Sequence, residues 1–235
     1  MLADLQELRT KRMSTAAQVQ YRGQDFDTYI VDIEKSDLRL FLQDSVGQGL
    51  QDLEALRSHV EADGGRLVFA TNAGMFAPDH QPVGLYIENG KELHPLDLQE
   101  GEGNFYMKPN GVFSIGKSGA HIMESEQFAT TGDSSFFATQ SGPALLLNDT
   151  IHPAFRAGSA NTYIRSGVGI LSSQKIVLAI SVAPVNFFDF AMLFKEYFGC
   201  SDALYLDGAI SEMFLPALNR MEMNGKFGPF IGIVE

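Results

Sequence analysis

The alternation of apolar and polar positions divides this chain into many short strands and few helices. Asp25 to Ile33 places Phe26, Thr28, Ile30 and Asp32 on one face and Tyr29, Val31 and Ile33 on the other, which predicts a strand. Leu38 to Leu42 predicts a second, with Glu34-Lys35-Ser36-Asp37 as the turn before it. Leu50, Leu53, Leu56 and Val60 recur at helical spacing, and Gly64-Gly65 closes that helix. Arg66 to Thr71 reads as a buried strand ending in Asn72-Ala73-Gly74-Met75-Phe76. Pro82 to Ile87 leads into Asn89-Gly90, the strongest short hairpin signal in the chain. A Gly-rich loop near 101–104 and an Asn110-Gly111 turn precede an apolar strand to Ile115, and 117–138 carry no clear pattern. Ala138 to Leu147 passes through a Ser-Gly-Pro turn into a strand. Tyr163 to Leu171, Lys175 to Val182, Ala203 to Leu206 and Phe230 to Val234 read as further strands. The best helix starts at Asn186, with Asp189 in its first turn and Phe187, Phe190, Ala191, Phe194 and Phe198 as an apolar stripe before Gly199.

Many strands, few helices and no steady βαβ alternation predict an α+β fold: a single domain on one large, mostly antiparallel or mixed sheet with a few packed helices. Residues 1–24 are polar and weakly patterned and read as a lead-in, with 25–235 as the domain.

Composition narrows the function classes. Seventeen basic residues against 29 acidic ones give a net charge of −12. That argues against nucleic acid, whose backbone is bound by Lys and Arg, and an anionic substrate would need a local cation to draw it in. No apolar run approaches the roughly 20 residues that span a membrane. Cys200, the only cysteine, reads as a small core residue. The histidines, His59, His80, His94, His121 and His152, are scattered and form no metal-binding motif. Oxygen-ligand binding of Ca²⁺ or Mg²⁺ by Asp79, Asp207 or backbone carbonyls leaves little sequence trace and stays open. The N-terminus has no cationic stretch followed by an apolar run, so no signal peptide is visible.

Candidate chemistry gathers where buried strands break at small polar turns. Leu204-Tyr205-Leu206 ends in Asp207-Gly208, which presents a carboxylate at a strand end with Ser211 and Glu212 close behind. Asp-Gly is itself a turn pair, so this segment alone leaves a plain β-turn open. Arg165 lies in an otherwise apolar stretch, and a buried guanidinium needs an anionic partner, whether a substrate or a structural carboxylate such as Asp207.

Asn72-Ala73-Gly74-Met75-Phe76, Pro82-Val83-Gly84-Leu85, Asn110-Gly111-Val112-Phe113, Thr139-Gln140-Ser141-Gly142-Pro143, Arg165-Ser166-Gly167-Val168-Gly169 and Leu206-Asp207-Gly208-Ala209-Ile210-Ser211, taken in order, resemble the phosphodiester glycosidase family. The resemblance runs from about residue 66 to about 215. It implies a mixed α+β hydrolase that splits the bond between an anomeric sugar carbon and a phosphodiester oxygen, in a periplasmic or extracellular setting. It points to Asn72, Ser141, Gly142, Arg165, Asp207, Gly208 and Ser211 as site residues, with Gly74 and Asn110 in the same motifs as further substrate contacts. Asp207 would stabilise the anomeric centre or activate water, Arg165 would grip the leaving phosphate with bidentate geometry, and Glu212 is a second-choice acid or base. The implied partner is a small or polymeric sugar phosphate. The family usually carries Asp-Gly-Gly where this chain has Asp207-Gly208-Ala209. Two other readings compete: a non-catalytic glycan- or sugar-phosphate-binding module, and a metal-dependent phosphoesterase.

Overall fold

The computed structural model describes residues 15–131, 134–207, 210–223 and 225–235. In chain order the first strands are β1 (Thr15–Tyr21), β2 (Gln24–Asp32), β3 (Asp37–Phe41), β4 (Leu67–Asn72), β5 (Tyr86–Glu88), β6 (Lys91–His94), β7 (Gly111–Gly116), β8 (Gly119–Glu124) and β9 (Phe137–Ser141). The rest are β10 (Ala144–Leu147), β11 (Thr150–Ile151), β12 (Ser166–Ser172), β13 (Lys175–Ser181), β14 (Ala203–Asp207), β15 (Met213–Leu215), β16 (Arg220–Met221) and β17 (Phe230–Val234). Three helices, α1 (Leu53–Ala62), α2 (Ser125–Thr131) and α3 (Phe187–Met192), complete the α+β fold.

Instead of one large sheet there are three, ordered β1-β2-β13-β12-β14-β10-β11, β16-β15-β4-β17-β3 and β6-β5-β9-β7-β8. Every strand pair in them is antiparallel. The split follows from the core. Strand β2 is apolar on both faces: Tyr29 and Val31 face a central cluster with Phe69, Phe113, Leu178 and Leu206, while Phe26 and Ile30 face a second cluster with Phe190 and Phe194. A seven-stranded sheet buried on both sides needs cover on both sides. The other two sheets supply it on one face and α3 on the other.

Local signals were obeyed closely. Asp52 caps α1, its Oδ1 accepting from the Ala55 N–H at 2.6 Å, and Gly64 closes it at φ 80°. Asn186 caps α3 by accepting from the Asp189 N–H at 2.9 Å. That helix continues as a π-helical turn, Leu193–Phe198, before Gly199 at φ 66°. Asn89 and Gly90, at φ 52° and 74°, make the hairpin between β5 and β6.

Other expectations need correction. Thr15–Tyr21 is a strand paired along its whole length with β2, so residues 15–24 belong to the sheet, while 1–14 lie outside the described residues. Its pattern is weak because it is an edge strand in which only Val19 is buried. Arg165 precedes β12, and Tyr163 makes only an isolated bridge to Val185. Pro82 to Leu85 is irregular. The unassigned 117–138 region holds β8 and α2, both too short for a period to emerge.

Burial leaves one group poised to titrate. Glu88 sits beside the buried Tyr86, its Oε2 has no partner among the described residues, and burial raises its pKa from 4.5 to about 7, a shift the Leu42 backbone partly offsets. The folded protein therefore keeps a proton that the unfolded chain releases from about pH 4.5 upward, so stability falls as pH rises from about 4.5 to 7. For a half-buried group we expect a loss on the order of 1–2 kcal/mol. Glu88→Gln should flatten this decline, gaining Tm at pH 8 but not at pH 4. An equal Tm shift at both pH values would contradict it.

Candidate active site

Strand β14 lies between β12 and β10, with all five of its residues buried, and ends at Asp207, which is 5% exposed. Backbone groups at a buried strand end need partners, and side chains provide them here. Ser141 Oγ donates to the Leu206 carbonyl at 3.1 Å. Ser211 Oγ donates to the Asp207 carbonyl at 2.5 Å, and Ser166 Oγ reaches the same oxygen at 3.3 Å. Asn72, fully buried at the end of β4, holds the returning segment from both sides. Its Nδ2 donates to the Ile210 carbonyl at 2.6 Å and its Oδ1 accepts from the Glu212 N–H at 3.0 Å. Thr71 Oγ1 adds a bond to the Glu212 carbonyl at 2.9 Å. Asn72, Ser141 and Ser211, expected as substrate contacts, are thus engaged with the backbone on either side of Asp207.

The glycines and Asn110 serve the same framework. Gly74 has φ 151°, and a Cβ there would stand 2.8 Å from Thr139 Oγ1 and 3.2 Å from the Gln140 carbonyl. At Gly142 a Cβ would stand 2.5 Å from the Phe105 carbonyl, so only glycine lets the 104–105 segment approach. Asn110 Nδ2 donates to that same carbonyl at 2.9 Å. Gly208 lies outside the described residues.

These contacts shape a cleft of about 500 Å³. Met75, Phe76 and Val83 from the segment after β4 make an apolar wall, the Gly-rich loop contributes Glu102, Asn104 and Tyr106, the end of β14 contributes Asp207, and Ile210 follows it. Tyr106 donates to Asp97 Oδ2 at 2.9 Å, a bond that raises its pKa and steadies the loop. Glu102, Asn104 and Tyr106 were not singled out from the sequence. The glycines around them were the available signal.

A second cavity of about 160 Å³ adjoins the first, since Asn104 lines both. Met107, Phe155, Arg156, Ser159, Asn161 and Phe187 are among its walls. Arg165 is fully buried behind it. Its Nε donates to the Val185 carbonyl at 2.8 Å, and its Nη2 donates to the Asn161 carbonyl at 3.1 Å and to Asn161 Oδ1 at 2.8 Å. The guanidinium carbon stands 3.5 Å from the Phe187 ring centroid. Nη1 has no hydrogen-bond partner among the described residues. Burial lowers the Arg165 pKa and raises that of Tyr205; the two groups partly offset each other, and Asp207 pushes Tyr205 further up. With Nε and Nη2 committed, the bidentate grip expected of Arg165 is replaced by a fixed positive charge behind the cavity wall. Asp207 is not its ion-pair partner.

Glu212 is not among the cleft-lining residues. Its carboxyl packs against Gly225, its Oε2 is buried without a partner among the described residues, and burial raises its pKa, aided by Glu222 and Asp52. Among the described residues no three His, Cys, Asp or Glu side chains converge to hold a metal ion, and no helix is long and apolar enough to cross a membrane.

Residues 65–230 match the phosphodiester glycosidase (NAGPA) family, which is well over half of the chain. The chain belongs to the phosphodiester glycosidase family. This family member is 35% identical to the uncharacterized protein YigE of Escherichia coli (strain K12) over 187 residues, 80% of this chain and 73% of YigE. Its fold matches the catalytic domain of zebrafish N-acetylglucosamine-1-phosphodiester alpha-N-acetylglucosaminidase, solved auto-inhibited by its pro-peptide. That match has a TM-score of 0.64 at 14% identity and covers 94% of this chain and 82% of the other. A hypothetical protein from Synechocystis matches with a TM-score of 0.55 at 14% identity, over 93% of this chain and 61% of the other. At such identities these structures speak to the fold alone.

Proposed function

We propose that this protein is a hydrolase that cleaves the glycosidic bond of a sugar 1-phosphodiester, with N-acetylglucosamine the first sugar to test. The observation that carries the reading is the buried Asp207 carboxylate lining an apolar cleft, next to a cavity backed by an arginine that has no carboxylate partner among the described residues. The sugar would occupy the larger cleft and the phosphate would extend past Asn104 toward Arg165.

The chemistry follows from the leaving group. The group that leaves is a phosphate monoester, a weakly basic anion, so the strong general acid of an ordinary glycosidase is dispensable. The bond between the anomeric carbon and the phosphate oxygen breaks with its electron pair going to oxygen, and positive charge builds on the sugar. A carboxylate in an apolar cleft stabilises that charge more than water could. Water then adds to the anomeric carbon and gives up a proton, with Asp207 as the base. Arg165 acts as an electrostatic positioning group for the departing phosphate. Glu102, at the exposed rim, is the other carboxylate lining the cleft.

The test is release of free N-acetylglucosamine from an N-acetylglucosamine 1-(alkyl phosphate), run in ¹⁸O-labelled water with and without chelator. Label in the sugar, unaffected by chelator, supports glycosidic cleavage. Label in the phosphate with chelator sensitivity would instead establish a metal-dependent phosphoesterase, and saturable binding without product would establish a binding module.

A further inference from the structure

Most arginines among the described residues are answered by a neighbouring carboxylate. Among the described arginines, Arg22 pairs with Asp189 and Glu196, Arg39 with Asp37, Arg57 with Glu54, Arg66 with Glu235, and Arg220 with Asp27 and Glu222. Arg156 and Arg165 remain, and both belong to the second cavity. Arg156 lines it, and its Nη1 donates to the Pro153 carbonyl at 2.5 Å and the Phe155 carbonyl at 2.9 Å. Those bonds fix the guanidinium at the rim and leave Nε and Nη2 without an acceptor among the described residues. Arg165 stands behind the wall made by Phe187 and Asn161. Two uncompensated guanidiniums at one cavity, in a chain of net charge −12, amount to a site built for negative charge.

The amount of charge separates two substrate classes. A simple phosphodiester carries one negative charge; a diphosphate diester carries two and presents two phosphoryl groups in line. We propose that the second cavity is a diphosphate subsite and that the substrate is a sugar 1-diphosphate diester. The inference rests on the reading of the larger cleft as the sugar site. Asn104, shared by the two cavities, would lie beside the phosphoryl group next to the sugar, within the field of Arg165. The outer phosphoryl group would meet Arg156, with Ser159 and Asn161 as neutral partners. A cavity of about 160 Å³ has room for the two phosphoryl groups and little more, and the exposed Arg156 to Gly158 stretch leaves the remaining group projecting into solvent. Cleavage would break the bond between the anomeric carbon and the inner phosphoryl oxygen. The oxygen of water would join the sugar, and the leaving diphosphate monoester would keep the electron pair.

Titration calorimetry with inorganic pyrophosphate and inorganic phosphate tests the subsite apart from turnover. Pyrophosphate should bind wild type at least about tenfold more tightly than phosphate, and Arg156→Ala, a change at an exposed residue, should erase that preference. Equal binding of the two anions, or a preference that survives Arg156→Ala, overturns the proposal. In kinetics, Arg156→Ala should lower kcat/KM for the phenyl ester of N-acetylglucosamine 1-diphosphate, relative to N-acetylglucosamine 1-(phenyl phosphate), by about tenfold or more. If both esters are hydrolysed and their ratio stays within about twofold, the hydrolase stands and the diphosphate subsite falls. If neither is hydrolysed while pyrophosphate binding depends on Arg156, the subsite stands and the hydrolytic reading fails.

Discussion

Asp207→Asn should abolish sugar release, lowering kcat by about a thousandfold or more while the protein stays folded. The substitution keeps the size of the side chain and leaves in place the hydroxyls of Ser166 and Ser211, which bond to the backbone carbonyl of residue 207. It removes the negative charge that faces the developing positive charge on the sugar, and the capacity to take a proton from water. Both losses fall on the transition state, so kcat should drop with little change in KM. The hydroxyl bonds from Ser166 and Ser211 reach the carbonyl of residue 207 and not its carboxylate. A folded Asp207→Asn protein that retains full turnover would remove Asp207 from the mechanism and direct attention to Glu102, the other carboxylate lining the cleft.

Arg165 should separate stability from activity. Arg165→Ala deletes a fully buried side chain, leaves a void against Phe187 and Tyr205, and removes hydrogen bonds to the Val185 carbonyl and to Asn161. Such losses in a core amount to about 3–5 kcal/mol, read as a drop in Tm. Arg165→Met fills most of the same volume and also removes a buried charge that no carboxylate among the described residues compensates. That relief offsets part of the lost hydrogen bonding, so its stability should return to within about 1–2 kcal/mol of wild type. Activity should not return with it: without the positive charge behind the second cavity, kcat/KM for the phosphodiester should stay down by about a hundredfold or more. Arg165→Lys tests the same point from the other side, since it keeps the charge but not the planar contact with Phe187. Its activity should lie between those of wild type and Arg165→Met. A well-folded Arg165→Met with wild-type turnover would make Arg165 purely structural.

The motifs that carried the family resemblance turned out to do two different jobs. Asn72, Gly74, Ser141 and Gly142 meet around the end of β14 as framework: their side chains bond to backbone, or, as glycines, let backbone pass. Asp207 alone of the expected catalytic residues lines the cleft, with Arg165 set behind its neighbour and Glu212 packed elsewhere. A short polar side chain next to a turn reads the same in sequence whether it will face a ligand or satisfy a buried carbonyl. The outcome depends on which backbone groups a distant strand leaves unpaired.

Local chemistry was enough to determine many of the elements. The two-faced alternation of β2, the Asn186 cap, the Asn89-Gly90 hairpin, the apolar run of β14 and the burial of Cys200 all follow from neighbours a few residues apart. The α+β class, the acidic balance and the turn motifs that place this chain in its family were legible for the same reason. Only the tertiary structure decided that the strands form three sheets, that β1 joins one of them, and that the 101–106 loop brings Glu102 and Asn104 to within one cleft of Asp207. It also decided that Arg156 lines, and Arg165 backs, one cavity with no carboxylate among its described lining residues. Those facts depend on contacts between residues tens to more than a hundred positions apart, and no periodicity or turn propensity encodes where such segments come together.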